Sequence, residues 1–289
     1  MSTVAGSTVA GSTFVRVGGV AHHAVVAGSG PVCVLAAGLG MSWFDWDPVA
    51  ALLTPYRTVV RFDRPGHGLS QAGTAPPTAE GEADRIAGVL DALGLGAGLG
   101  AGPVTVVGHS IAGFHAEAFA RRHPARTAGL VLVDSSVEEH PHPVRPAPAL
   151  ARGLGALLAA AGIPAALGPA ARALSVRRST RRRPGPDPAP RDLVRRVYRT
   201  SRVFRGTLDE NAHYEAVAAQ LLALRGTAPL PPGLPVTVLA APDGSARWER
   251  RQRALARRLG ARYEAVEPSG HLMMLDAPQA VARAVLRTP

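Results

Sequence analysis

The stretch Val104-Thr105-Val106-Val107-Gly108-His109-Ser110-Ile111-Ala112-Gly113 constrains the fold of this chain more tightly than any other. Four apolar or β-branched residues read as a buried strand, and the Gly-x-Ser directly after them reads as a sharp turn into a helix starting near Ile111. A serine at such a turn has a strained backbone, an exposed hydroxyl and, just after it, an amide left free at a helix N-terminus. An acyl-transfer nucleophile needs that geometry.

The surrounding pattern supplies a scaffold for it. Short apolar runs at residues 32–36, 58–62, 130–133, 235–241 and 262–266 read as strands, and residues 15–26, broken at Gly18-Gly19, as an edge hairpin. Helices are predicted at 48–53, 80–95, 114–122 and 247–259 and after Pro278; the second carries a stripe of Ala83, Ile86, Val89, Leu90 and Leu93 with acids at its N-terminal end. Strands repeatedly followed by helices imply an α/β fold, a mostly parallel sheet with helices on both faces. Between residues 137 and 230 the alternation stops. Pro141, Pro143, Pro146 and Pro148 mark a hinge, helices are predicted at 149–161, 193–204 and 211–224, and 184–188 is too rich in proline to be helical. The chain therefore divides into core (1–136), helical insertion (137–230) and core again (231–289).

Three further strings carry chemistry or shape. Asp63-Arg64-Pro65-Gly66-His67-Gly68-Leu69-Ser70 follows one strand, Ala241-Pro242-Asp243-Gly244 another, and Ser269-Gly270-His271-Leu272-Met273-Met274 lies beyond a third. With the serine turn, they resemble the α/β-hydrolase superfamily over residues 20–286. Ala112 stands where the serine turn usually has its second glycine, and Ala37 replaces a common histidine before the retained Gly38. The resemblance implies a nucleophile Ser110, a base His271 and an acid Asp243, in the superfamily's chain order; the rival acid is Asp134, because some members place it after the earlier strand. It also implies an oxyanion hole from the backbone amides of Leu39 and Ile111, a cap formed by the insertion, loop-shaping roles for Asp63 and Arg64, and supporting roles for His67 and His109. Ends of parallel strands converge on one sheet edge, so residues far apart in sequence can meet there.

The reaction expected is serine hydrolysis through an acyl-enzyme, on carboxylic esters of small to medium apolar acyl groups. Met41, Trp43, Phe44, Met273 and Met274 are apolar pocket candidates, although the aromatics serve equally well as packing against the helix at 48–53. The scaffold also hosts aminopeptidases, for which Glu210 or Glu215 could meet a substrate amine, as well as lactonases, carbon-carbon bond hydrolases, cofactor-free haloperoxidases and hydroxynitrile lyases. No metal-ligand or phosphate-loop spacing is present, so no metal or cofactor is expected; His22 and His23 read as surface or loop residues.

The net charge of +11 raises a non-enzymatic alternative, a basic interaction protein using Arg172, Arg177, Arg178, Arg181-Arg182-Arg183 and the arginines from 191 to 205. Lacking a nucleic-acid motif, this arginine surface reads as a solvated face, so the expected partner is a small-molecule substrate rather than nucleic acid or membrane. The single Cys33 lies in an apolar run and reads as a buried side chain, and with no signal-like start or apolar run of membrane length the sequence suggests a cytoplasmic protein.

Overall fold

A computed structural model of the chain describes residues 11–95, 102–142, 147–181, 187–242 and 245–289. Its elements in chain order are β1 (Ser12–Val17), β2 (Val20–Ala27), β3 (Val32–Ala36), α1 (Asp47–Leu53), β4 (Thr58–Phe62), α2 (Ala79–Ala92), β5 (Val104–His109), α3 (Ala112–Arg122) and β6 (Thr127–Val133). The insertion contributes α4 (Ala147–Ala160), α5 (Ile163–Ser179), α6 (Arg191–Tyr198), α7 (Ser201–Ala212) and α8 (Tyr214–Thr227). The core then resumes with β7 (Val236–Ala240), α9 (Ala246–Leu259), β8 (Arg262–Ala265), α10 (Met273–Asp276) and α11 (Pro278–Leu286).

The strands form one sheet in the order β1-β2-β4-β3-β5-β6-β7-β8. The first two pairings, β1 with β2 and β2 with β4, are antiparallel, and all others are parallel. Every residue of β3, β5 and β7 is buried, as a sheet covered on both faces requires. Side-chain alternation splits the core in two. Val34, Val60, Val106 and Leu130 pack with residues of α2, α3, α8 and α9, whereas Cys33, Leu35, Val59 and Val107 pack with residues of α1, α10 and α11. Burial pushes the Cys33 thiol up to about 12, so it stays neutral in that second layer.

After β3 the chain moves to β4 on one side and then to β5 on the other. Loops leaving the carboxyl ends of β3 and β5 diverge at this switch point and open a crevice, the usual ligand position in a sheet of this kind.

The insertion departs from the sequence expectation in two places. The helix predicted over 193–204 is two helices, because Thr200 takes an extended conformation and its side chain accepts the Val203 N–H, starting a new N-terminus. A 17-residue helix, α5, runs through a segment where none was expected and has Pro169 inside it. Proline removes the N–H that would bond the Ala165 carbonyl. Arg199 Nε donates to that carbonyl at 2.9 Å instead. Of the expected features, residues 1–10, Pro143, Pro146, Arg182-Arg183, the proline-rich 184–186 and Asp243 lie outside the described residues.

Candidate active site

Ser110 follows β5 directly and has φ +54°, a left-handed conformation that costs a non-glycine residue about 1–3 kcal/mol. Surrounding hydrogen bonds hold it there. Its N–H donates to Val133 O at 3.2 Å, and its carbonyl accepts from Gly113 N–H at 2.9 Å and Ser136 N–H at 3.0 Å. The tight crossing of strand and helix depends on Gly108, where a Cβ would lie 2.2 Å from the Ala112 carbonyl oxygen. Ala112 itself is fully buried, so the glycine-to-alanine departure is absorbed.

Among the described residues one other non-glycine has a positive φ, Asp134 at +39°, immediately after β6. Its carboxylate is buried and fully engaged. Oδ1 accepts from Ala241 N–H at 2.9 Å and from Trp248 Nε1–H at 2.8 Å, and Oδ2 accepts from His271 Nδ1 at 2.6 Å. An ionised carboxylate only accepts, so the bond assigns the proton to Nδ1 and leaves Nε2 of His271 with a free lone pair. The partner of His271 among the described residues is therefore Asp134, the rival acid of the sequence reading, while Asp243 lies outside the described residues. The sequence reading favoured the later strand end and kept Asp134, at the earlier one, as its alternative.

His109, in the turn itself, donates from Nε2 to the His271 carbonyl at 2.9 Å. Burial, and then the neighbouring His271, push its pKa well down, so it is a neutral prop for the histidine loop. Gly38 packs against the same pair: a Cβ there would lie 2.5 Å from His109 Nδ1 and 3.2 Å from Ser110 Cβ. Only glycine lets the β3 loop come this close. Among the described residues, neither the Leu39 nor the Ile111 amide has an acceptor.

Ser110 and His271 open onto a cavity of about 450 Å³ whose other walls come from the β3 loop and from α5, α6 and α7. Leu39, Met41, Val176, Val203, Phe204 and Leu272 make much of it apolar.

The profile of the alpha/beta hydrolase family matches residues 33–284, which include the serine turn, Asp134 and His271. The chain belongs to the alpha/beta hydrolase family. It is 36% identical over 103 residues to a Pantoea ananatis protein named "Putative carbamate hydrolase RutD", a stretch covering 35% of each chain. The chain thus spans about a third of the length of that curated relative. The fold is matched far more widely: Cfl2 from Burkholderia cenocepacia superposes with a TM-score of 0.71 at 23% identity, over 96% of this chain and 94% of that one. A thermophilic esterase from Thermogutta terrifontis gives 0.70 at 21% identity, over 96% and 97%.

Not every expected site residue of this alpha/beta hydrolase reaches the cavity. Leu39, Met41, Ser110 and His271 line it. Trp43 and Phe44 are instead buried in a cluster with Val25, Leu193 and Val197, and Met273 and Met274 are core residues packed with α1 and α11. The sequence reading placed these four at the pocket because they adjoin its loops, but the short 3-10 turn Trp43–Trp46 and α10, which they begin, bury their side chains. Glu210 and Glu215 are not among the residues lining this cavity: Glu210 is paired with Arg64, and Glu215 accepts the His142 N–H. His22 and His23 are buried in β2, where His22 meets the Asp63 carbonyl and His23 its carboxylate, so they are not surface residues. Asp63 shapes its loop as expected, accepting the Trp43 and Leu69 amides.

Sequence reasoning put Arg172 on a solvated arginine face and did not place Tyr198 at the cavity. Arg172 is buried, pairs with Asp45 at 2.5 Å and Asp187 at 2.7 Å, and lies over the Phe44 and Tyr198 rings. Tyr198 donates its hydroxyl to Gly40 O at 2.8 Å. The available signal was an arginine set among alanines, Ala170-Ala171-Arg172-Ala173. The expected cationic face is likewise partly spent inside the protein, since Arg202 donates to the carbonyls of His67, Gly68 and Ser70.

Proposed function

We propose that this chain hydrolyses carboxylic esters with small to medium apolar acyl groups through an acyl-enzyme on Ser110. The observation that carries the reading is the 2.6 Å bond between His271 and the strained Asp134, beside a strained serine on the same cavity. Ser110 Oγ attacks the ester carbonyl while His271 Nε2 takes its proton. Asp134 stabilises the resulting imidazolium, and the Leu39 and Ile111 amides receive the oxyanion. His271 then protonates the departing alcohol, and the same histidine activates the water that clears the acyl group.

The walls support a neutral acyl group. Among the described lining residues the arginine is Arg172, and its charge is already balanced by Asp45 and Asp187, so it is not a free counter-charge for an acidic substrate. Among the described residues neither Glu210 nor Glu215 is free to meet a substrate amine, since both are engaged, which disfavours the aminopeptidase reading. A carbamate, the group in the name of the Pantoea relative, offers the same kind of carbonyl to the serine and belongs in the same test.

The test is a panel of p-nitrophenyl esters, carbamates, aminoacyl amides and lactones, assayed on wild type, Ser110→Ala and His271→Ala. Butyrate or hexanoate esters are expected to be turned over best, with each variant down by several orders of magnitude and the double variant little worse. Equal turnover by wild type and Ser110→Ala would refute the reading, and preference for charged acyl groups would refute the substrate class.

A further inference from the structure

The loop carrying the Leu39 amide is not held by its own turn alone. Leu39 stands between Gly38 and Gly40, and glycine on both sides makes its flanking peptide units easy to rotate. Its carbonyls are gripped from outside. Arg64, buried on the loop after β4, donates from Nη1 to Ala37 O and from Nη2 to Gly38 O at 3.0 Å. The Met41 N–H also reaches Gly38 O, at 3.2 Å.

In a trans peptide the C=O and the following N–H point in opposite directions. A guanidinium holding Gly38 O on one side therefore turns the Leu39 N–H to the other, away from Arg64. Leu39 lines the cavity on that loop, and Gly38 lies against Ser110 and His109.

Arg64 is in turn held from the insertion. Glu210 of α7, equally buried, binds it with both oxygens, Oε1 to Nε at 2.6 Å and Oε2 to Nη2 at 2.8 Å. This paired fork fixes the plane of the guanidinium as well as its place. His67 Nε2 lies 3.3 Å from Oε2 and closes the arrangement.

We infer that Arg64, oriented by Glu210, is a positioning residue that sets the Gly38–Leu39 peptide so that the Leu39 amide can receive the oxyanion. The inference rests on the proposed hydrolysis at Ser110. It makes packing of the inserted helices a condition for catalysis as well as a wall of the pocket, because the second oxyanion donor is aimed through a side chain of α7. Arg64 touches no reacting atom; it acts through the peptide.

The test uses Arg64→Met/Glu210→Gln, which removes both buried charges together, with Glu210→Gln alone and Arg64→Lys as companions. Loss of one oxyanion donor typically lowers kcat about 10²- to 10³-fold. The double variant is expected to lose kcat on that scale with KM within about threefold, and to lose affinity for a trifluoromethyl ketone in parallel. Glu210→Gln, which keeps Arg64 on the two carbonyls, is expected to lose less. A crystal structure of the double variant should show the Gly38–Leu39 peptide rotated. Arg64→Lys keeps the charge but cannot bond both carbonyls in the same plane, and should show the same KM-sparing loss if the double variant does not fold. Absence of Ser110-dependent turnover in the wild type would defeat the hydrolase reading, whereas the peptide orientation can be read without turnover. An unchanged Gly38–Leu39 peptide, or a folded variant with wild-type kcat and ketone affinity, would overturn the positioning role.

Discussion

Replacing Asp134 by asparagine separates the charge of this residue from its shape. Oδ1 receives two N–H donors, from Ala241 and the Trp248 indole, so the amide oxygen of an asparagine must take that position. Its NH₂ group is then forced to where Oδ2 stood, 2.6 Å from His271 Nδ1. Two donors cannot share one bond. Nδ1 must become the acceptor, the imidazole proton moves to Nε2, and the lone pair needed to activate Ser110 is lost while the fold is kept. Such an exchange in a serine triad lowers kcat about 10⁴-fold, which at about 1.36 kcal/mol per decade is about 5 kcal/mol of transition-state stabilisation. The assay is steady-state hydrolysis of p-nitrophenyl butyrate by Asp134→Asn and Asp243→Asn, with thermal melting to confirm that both are folded. A kcat for Asp134→Asn within tenfold of wild type, with Asp243→Asn severely impaired, would refute the reasoning and return the acid to the later strand.

Two further outcomes follow from buried charges. Arg172→Met should destabilise the protein by about 3–5 kcal/mol, the usual cost of stranding one member of a buried pair, because the fully enclosed Asp45 loses its counter-ion; an unchanged denaturant midpoint would contradict this. Burial pushes the Glu210 carboxyl up, but Arg64 and His67 outweigh it and bring the group from 4.5 down to about 2. Its stabilising contribution is therefore complete above the ordinary carboxylate value and lost as pH falls through about 2. The difference in melting temperature between wild type and Glu210→Gln should be largest near neutral pH and shrink between about pH 5 and 2, and a difference that grows on acidification would show that the pair does not work this way.

The parts of the site legible in the sequence were those written locally. The serine turn, the Asp63–Ser70 loop and the histidine loop each combine a strand end with glycine or proline chemistry within a few residues. The partner of His271 was not local, since Asp134 and His271 are 137 positions apart, and two strand ends offered an aspartate. Asp134 did carry a signal, because aspartate tolerates the left-handed conformation better than most residues. The pocket wall was hidden for another reason. Pro164, Pro169, Gly162 and Gly168 interrupt the segment of α5, for which no helix was predicted, yet Arg199 supplies the donor that Pro169 lacks, and at Gly168 a Cβ would lie 1.8 Å from the Tyr198 carbonyl oxygen. Those breaker residues let α5 pack closely on α6, and a contact between distant helices leaves no periodicity to read.

The central claim is that Ser110 is the nucleophile of a hydrolytic site, and a p-nitrophenyl alkylphosphonate tests it most directly. Its phosphorus should be attacked by the activated serine, releasing p-nitrophenol and leaving a stable adduct. The account predicts one equivalent of p-nitrophenol per chain, the added mass mapped by peptide sequencing to Ser110, parallel loss of esterase activity, and no labelling of Ser110→Ala. Esterase activity that survives full labelling of Ser110, or an adduct of the same stoichiometry on Ser110→Ala, would contradict it.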